Sequence, residues 1–278
     1  MFDIYAAVTD RIMEQLEQGL IPWERPWFGV RNGAYSRSTK RPYSLLNQML
    51  LGKPGEYMTY KQCLESGGTV KKGAKAKMVV FWKQIPTTEV NSKGETVSKL
   101  IPMLKYFNVF HIDDCEGVTA KIKPEEYPEF NPIEKAEQVA AGYVTSSGVV
   151  LKIEESNRAF YQPTADSVTV PLKEQFVSPV EYYGTLFHEL VHSTGHSKRL
   201  NRIEKTAAFG NTEYSKEELV AEIGAAAIIN SLGIETASQF RNSAAYVQSW
   251  LHALKNDKKM IVSAASKAEK AVELIMPA

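Results

Sequence analysis

Three of the chain's five histidines fall within nine positions, in the stretch TLFHELVHSTGH from Thr185 to His196. His188, Glu189 and His192 make an HExxH pattern. On a helix, positions i and i+4 share one face about a turn apart. Two imidazoles so placed reach a single zinc ion at about 2.0–2.1 Å, and the glutamate beside the first stands next to the coordination position left open. Thr185, Leu186, Phe187, Leu190 and Val191 give this helix a buried, apolar character. Histidines on such a helix need polar partners to offset desolvation, and a metal ion satisfies both. Glu189 is then the general base, taking a proton from the attacking water and delivering it to the leaving amine. The third histidine of an HExxHxxGxxH pattern would fall at position 198, which is Lys198, so His196 reads as a supporting or structural residue.

The third ligand is sought in EELVAEIGAAA, where Glu218 and Glu222 stand one turn apart on a helix of otherwise small and apolar residues. A carboxylate facing into a packed helix pair needs a cation or an imidazole N–H. HExxH followed by ExxxE on a later helix resembles the gluzincin metallopeptidases. That resemblance implies Glu218 as the zinc ligand and Glu222 as the carboxylate supporting a zinc-bound histidine, with the two roles interchangeable. SVTVP (residues 167–171) reads as an edge strand along which an extended peptide lies.

A chain of 278 residues builds one large domain or two ordinary ones, with the apolar and charged fractions of a soluble globular protein. Cys63 and Cys115 form no CxxC pair, which argues against a disulfide framework and a cysteine zinc site. The N-terminus lacks the basic start and apolar core of a signal peptide, and no window approaches the roughly 18 apolar residues of a membrane span. The expected compartment is the cytoplasm, with no membrane partner. The net charge of +1 hides an asymmetry: residues 1–122 carry 17 Lys and Arg against 12 Asp and Glu, and Arg25 to Lys83 carries 12 against 2. Such a segment points to an anionic partner, nucleic acid foremost.

Aromatic residues run through that basic segment. Trp27, Tyr43, Tyr60, Phe81 and Trp82 are candidate stacking platforms, and Arg37, Arg41, Lys61, Lys71, Lys72 and Lys75 are candidate phosphate contacts. Interleaving the two types is what a binder of single strands needs. If AKMVVFWKQ is a strand, Lys77, Val79, Phe81 and Lys83 share one face and Met78, Val80 and Trp82 the other, which favours Trp82 for the core.

The elements that position these residues are read from periodicity. Tyr5, Val8, Ile12 and Leu16 predict an opening amphipathic helix closed by Gly19. A short helix follows in SLLNQMLLG, and another in TYKQCLESGG with Thr59 as N-cap and Gly67 as C-cap. AKMVVFWKQ and MLKYFNVFHI predict strands of an antiparallel sheet, joined by the polar connection TTEVNSKGETVSK. KPEEYPEFNP (residues 123–132) marks a linker between a first domain, 1–122, and a second, 133–278. The second domain reads as a helix, three short strands, a long helix capped by Ser178 and Pro179 that carries the histidines, and three further helices. The fold class is α+β in both parts.

VTDRIMEQLEQGLIPWERPW, RPYSLLNQMLL, MTYKQCLESGGTVKKGAKA and LKYFNVFHIDDCEG resemble the N-terminal single-stranded-DNA-binding domain of ArdC-type antirestriction proteins, shared with TraC-type plasmid primases. AFYQPTADSVTVP, TLFHELVHSTGH and EELVAEIGAAA resemble the zincin-like metallopeptidase domain of the same family. The resemblance covers nearly the whole chain in the family's order. It implies a bacterial mobile-element protein that shields incoming DNA from restriction, with single-stranded DNA and a protein or peptide substrate as partners and zinc as cofactor. One departure is that YSLLNQMLL lacks the glycine expected before its Leu-Asn step. Two alternatives stand beside this reading: a non-enzymatic DNA-binding protein with a structural zinc, and a peptidase whose basic domain binds RNA or protein. An intact Glu189 favours the enzyme.

Overall fold

The computed structural model describes residues 3–18, 20–24, 33–90, 96–121, 132–176, 178–203, 212–234 and 244–277. Helix α1 (Ile4–Glu17) starts where the Asp3 carboxylate accepts the Ala6 N–H, and it turns Val8, Ile12 and Leu16 inward at four-residue spacing. A 3-10 turn (Pro22–Glu24), strand β1 (Ala34–Ser36), helix α2 (Leu45–Leu51), strand β2 (Gly55–Met58), helix α3 (Tyr60–Glu65) and strand β3 (Thr69–Val70) follow. The Thr59 hydroxyl caps α3 by accepting the Gln62 N–H, and the Gln62 side chain returns to the Thr59 N–H. Ser66 is the last cap residue, and Gly67 beyond it takes the left-handed conformation at φ 80°. Gly19 lies outside the described residues.

Strands β4 (Lys77–Val90) and β5 (Thr96–His111) form a long antiparallel hairpin, and β6 (Cys115–Glu116) pairs with β3. The sheet order is β1-β2-β5-β4, antiparallel except between β1 and β2, which run parallel. The polar segment predicted as a long connection is mostly strand. Pairing continues from Lys77 opposite Val109 to Val90 opposite Thr96. Past Val80 and Leu104 the ribbon's described side chains are largely solvent-exposed on both faces, Phe81, Trp82, Leu100, Ile101 and Met103 among them, so backbone pairing holds it without a buried face.

The second half contains α4 (Pro132–Ser147), β7 (Val150–Glu154), β8 (Phe160–Gln162), β9 (Ser167–Pro171), α5 (Pro179–Thr194), α6 (Thr212–Ser231), α7 (Ala244–Asn256) and α8 (Met260–Ile275). SVTVP, predicted as an edge strand, is instead the centre: β9 lies between β7, parallel to it, and β8, antiparallel to it. All five of its residues are buried, and β7 and β8 form the edges. An uncharged strand suits full coverage, whereas the charged residues of VLKIE suit an edge.

One buried cluster runs through both halves. It joins Val8, Ile12, Leu16, Trp23 and Leu45 to Leu219, Ile223, Trp250 and Ala265. The Trp23 and Trp250 rings meet edge to face at 5.2 Å. Polar bonds cross as well: the Thr9 hydroxyl donates to the Lys258 carbonyl at 2.6 Å, and the Leu45 N–H donates to Glu269 Oε1 at 3.3 Å. The proline-rich stretch read as a linker lies outside the described residues, except for Pro132. Among the described residues no helix is long and apolar enough to cross a membrane.

Candidate metal centre and nucleic-acid face

α5 begins as its sequence predicts, with the Ser178 hydroxyl accepting the Glu181 N–H at 3.3 Å and Pro179 in the first turn. α6 packs closely on it because Gly224 has no side chain: a Cβ there would lie 2.9 Å from Val191 Cγ2. The packing brings three residues together. Nε2 of His188 and Nε2 of His192 are 3.1 Å apart. Glu218 Oε1 lies 3.3 Å from His192 Nε2, and Glu218 Oε2 lies 3.5 Å from His188 Nε2. The ligating atoms of the three all fall within 4.8 Å of one another. Glu189, adjacent in sequence to His188, is buried.

The far side of His192 is occupied too. Its Nδ1 lies 3.3 Å from Glu217 Oε1, and Glu217 accepts hydrogen bonds from Arg202. Burial alone disfavours a charged His192, but its hydrogen bonds to Glu217 and Glu218 and the charge of Glu189 outweigh it and push its pKa up to about 10. Burial likewise acts to raise Glu218, yet hydrogen bonds from His188 and His192 hold its carboxyl well below the usual carboxylate range. Glu217 is also lowered, the His192 hydrogen bond and the Arg202 charge prevailing over burial.

Two imidazole nitrogens and one carboxylate oxygen are the donor set of three-ligand zinc sites, and they suit related divalent transition metals. Among the described residues, the carboxylates of Glu189, Glu217 and Glu218 outnumber the Arg202 guanidinium, and with both imidazoles neutral as ligands the excess is two negative charges, which a divalent cation balances. The residues fit such an ion.

In the first half, the register of the β4–β5 hairpin sorts charge by face. Lys77, Val79, Phe81, Lys83 and Ile85 share a face with Ile101, Met103, Lys105, Phe107 and Val109, and no acidic residue stands among them. The opposite face, from Met78 to Gln84 and Pro102 to Asn108, has no charged residue at all. Phe81 and Phe107 are both exposed, with ring centroids 5.9 Å apart.

Residues 2–110 match the family described as the N-terminal domain of anti-restriction factor ArdC, and residues 136–267 match the family described as zincin-like metallopeptidase. The crystal structures of the antirestriction ArdC protein from R388 plasmid are similar at TM-scores of 0.75 (metal-free) and 0.76 (Mn(II)-bound). Identity is 34% and 35%, over 99% of this chain and 97% of that one. The chain belongs to the ArdC antirestriction family. Two Escherichia coli proteins named DNA primase TraC are 32% and 34% identical over 98% and 97% of this chain, which spans only 20% and 26% of their length. An uncharacterized protein, y4eC, from Sinorhizobium fredii is 29% identical over 96% of this chain and 89% of its own.

Against this ArdC framework, several residues stand apart from their sequence-based roles. Glu222 is outside the three-residue cluster, and the carboxylate on His192 Nδ1 is Glu217. The reason is axial distance: four residues advance a helix by about 6 Å, past the imidazoles, whereas neighbouring residues differ by about 100° and reach both sides of one ring. His196, read as supporting or structural, is outside the cluster as that reading has it, its Nδ1 accepting the Lys198 N–H at 3.2 Å. Arg37, predicted as a phosphate contact, is 7% exposed, is ion-paired with Glu56 and donates to the Thr119 carbonyl at 3.0 Å. Tyr43, predicted to stack on bases, is 5% exposed between Tyr57 and Phe81. Tyr43 is enclosed by Ala34, Leu51, Tyr57, Val79 and Val109, and Arg37 by Glu56, Ser66 and Thr119. Trp82, expected in the core, is 51% exposed beside Tyr5. Arg41, Tyr60, Lys61, Lys71, Lys72 and Lys75 are exposed, Lys61 pairing with Glu65 and Lys71 donating to the Asp113 carbonyl. Trp27 lies outside the described residues. Phe107 and Lys105 went unpredicted, although the alternation of Lys105, Phe107 and Val109 signals a two-sided strand; only the register shows that they face Phe81.

Proposed function

We propose that this ArdC-family protein binds single-stranded DNA through its basic, aromatic half and carries a zinc-dependent peptidase centre in its zincin-like half. Its role is to shield incoming mobile-element DNA from restriction in the bacterial cytoplasm. The observation that carries the reading is the His188–His192–Glu218 cluster with Glu189 beside it. A divalent cation bound there supplies Lewis acidity toward a scissile carbonyl. His188 and His192 turn Nε2 toward that position, and Glu218 offers its carboxylate from α6. The Glu189 carboxylate takes the proton of the attacking water and returns it to the leaving amine. The strand β8, which packs beside α5 and is at the edge of its sheet among the described residues, offers that edge to an extended peptide, the role expected of SVTVP.

On the hairpin, Phe81 and Phe107 serve as stacking surfaces worth about 1–3 kcal/mol per base. Lys77, Lys83 and Lys105 take the flanking phosphates, and Arg41, Tyr60, Lys61, Lys71, Lys72 and Lys75 extend the surface, with Trp27 and Trp82 as further stacking candidates. Glu189→Gln tests the assignment of both halves. The variant keeps zinc by elemental analysis and keeps single-strand affinity by fluorescence anisotropy, but loses hydrolysis of a fluorogenic peptide mixture, because an amide does not accept the water's proton at neutral pH. Cleavage at the parent's rate would refute Glu189 as the base, and a parent protein that takes up no zinc would refute the metal reading. Plasmid transfer into a restricting host then separates two routes to protection: an unaffected Glu189→Gln variant means protection by occupancy of the strand.

A further inference from the structure

We infer that Glu217 and Arg202 form the positioning pair that fixes His192 as a metal ligand. The inference rests on the metal reading of His188, His192 and Glu218. A neutral imidazole ligates through Nε2 only while Nδ1 carries the proton, and the partner of Nδ1 decides which nitrogen that is. His192 Nε2 faces His188 and Glu218, and its Nδ1 faces Glu217 Oε1 at 3.3 Å. An Nδ1–H donating to Glu217 leaves the Nε2 lone pair directed at the metal position.

Glu217 is itself held in place. Arg202 donates through Nε to both carboxylate oxygens, at 3.2 and 3.0 Å, and through Nη2 to Oε1 at 2.9 Å. The same guanidinium donates from Nη1 to the Thr194 hydroxyl and from Nη2 to the Val191 carbonyl. Val191 and Thr194 flank His192 on α5, so one planar fork ties the carboxylate to the helical turn that carries the ligand. The Arg202 side chain is 6% exposed and that of Glu217 is 16% exposed. In such surroundings a carboxylate without its cation is strongly disfavoured, and an ammonium in place of the fork does not span the same acceptors.

A tight return after α5 delivers the guanidinium. The Gly195 carbonyl accepts the N–H groups of both Arg202 and Ile203 at 3.0 Å. A Cβ on Gly195 would lie 2.6 Å from Ile203 Cγ1, so any larger residue there would displace the Ile203 side chain. Adjacent residues of α6 then divide the work, Glu218 toward the two Nε2 atoms and Glu217 toward Nδ1.

The test uses the full chain stripped of metal, with Glu217→Gln, Glu217→Ala, Arg202→Lys and His192→Ala variants. Asp166→Asn serves as the control, since Asp166 pairs with Arg199 on the same return without touching His192. Zinc affinity is read by competition with a chromophoric chelator, and the His192 Nδ1 proton is followed by NMR in the zinc-loaded protein. Loss of such a partner weakens metal binding by about 10–100-fold, the expected result for Glu217→Ala. Glu217→Gln and Arg202→Lys fall between that value and the parent, and Asp166→Asn leaves affinity unchanged. The Nδ1–H resonance is sharp and slow to exchange in the parent and is broadened by fast exchange with water in Glu217→Ala. If Glu217→Ala does not fold, the near-isosteric Glu217→Gln carries the same comparison. Parent-like affinity in every Glu217 and Arg202 variant, with His192→Ala having lost zinc, overturns the positioning role. Parent-like affinity in His192→Ala overturns the metal reading instead.

Discussion

Replacing Trp23 with alanine should weaken the metal-bearing half of the protein as much as the half in which Trp23 lies. The side chain is fully buried in the cluster shared by α1, α6, α7 and α8, and its ring meets Trp250 at 5.2 Å. Truncating a buried Trp to Ala costs about 3–5 kcal/mol in lost transfer free energy and residual cavity. At about 2.1 cal/mol/K per residue, a 278-residue chain unfolds with an entropy of roughly 0.6 kcal/mol/K, so Tm should fall by about 5–8 °C. Trp23→Phe should cost less, because it keeps most of the buried ring and removes an indole N–H that finds no partner among the described residues. Thermal melts by circular dichroism give the shift, and hydrogen exchange of the α5 and α6 amides shows where it is felt. A single transition with faster exchange in α5 and α6 is expected. Two transitions, with α5 and α6 as protected as in the parent, would refute the shared core as a cooperative unit.

Three further outcomes follow from the same contacts. Arg37→Ala removes the guanidinium from the buried Glu56 and should cost about 3–5 kcal/mol in urea denaturation, without changing the salt dependence of single-strand binding. Lys83→Ala and Lys105→Ala should each lower the slope of log affinity against log salt by about 0.7 if those lysines meet phosphates; an unchanged slope would move the DNA off this face. Burial acts to raise Asp166, but hydrogen bonds from Arg199 and Tyr161 hold it below its ordinary value of 3.8, so its stabilisation is present above that pH and fades below it. Asp166→Asn should therefore make the fall in denaturation midpoint below about pH 3.8 less steep, and an equally steep fall would count against the assignment.

The parts of this molecule that were legible beforehand are those decided within a few residues. HExxH needs only helical spacing to bring two imidazoles to one side, and the Ser178 and Thr59 hydroxyls each accept the N–H three positions on, with Pro179 fixing the first turn of α5. α1 announced its buried stripe through Val8, Ile12 and Leu16. Arg37 shows the opposite case. A basic residue in a basic segment reads as a phosphate contact, and nothing local reveals that β2 will bring Glu56 against it. Trp82 and Tyr43 exchanged places for a similar reason: alternation gives two faces of a strand but not which stretch of each face is covered.

Short-range periodicity is enough for the α+β class, the His188–Glu189–His192 helix and a carboxylate-bearing helix to complete the cluster. Tertiary structure decided which carboxylate meets which nitrogen, because the approach of α6 to α5 over Gly224 places Glu217 and Glu218, not Glu222, beside the rings. It also decided that Phe107 and Lys105 join Phe81, through a hairpin register that no local pattern sets, and that β9 is central to its sheet. The continuity of the core across the two halves was decided the same way: apolar stripes on α1, α6 and α8 each require burial, but only three-dimensional packing determines that they bury one another.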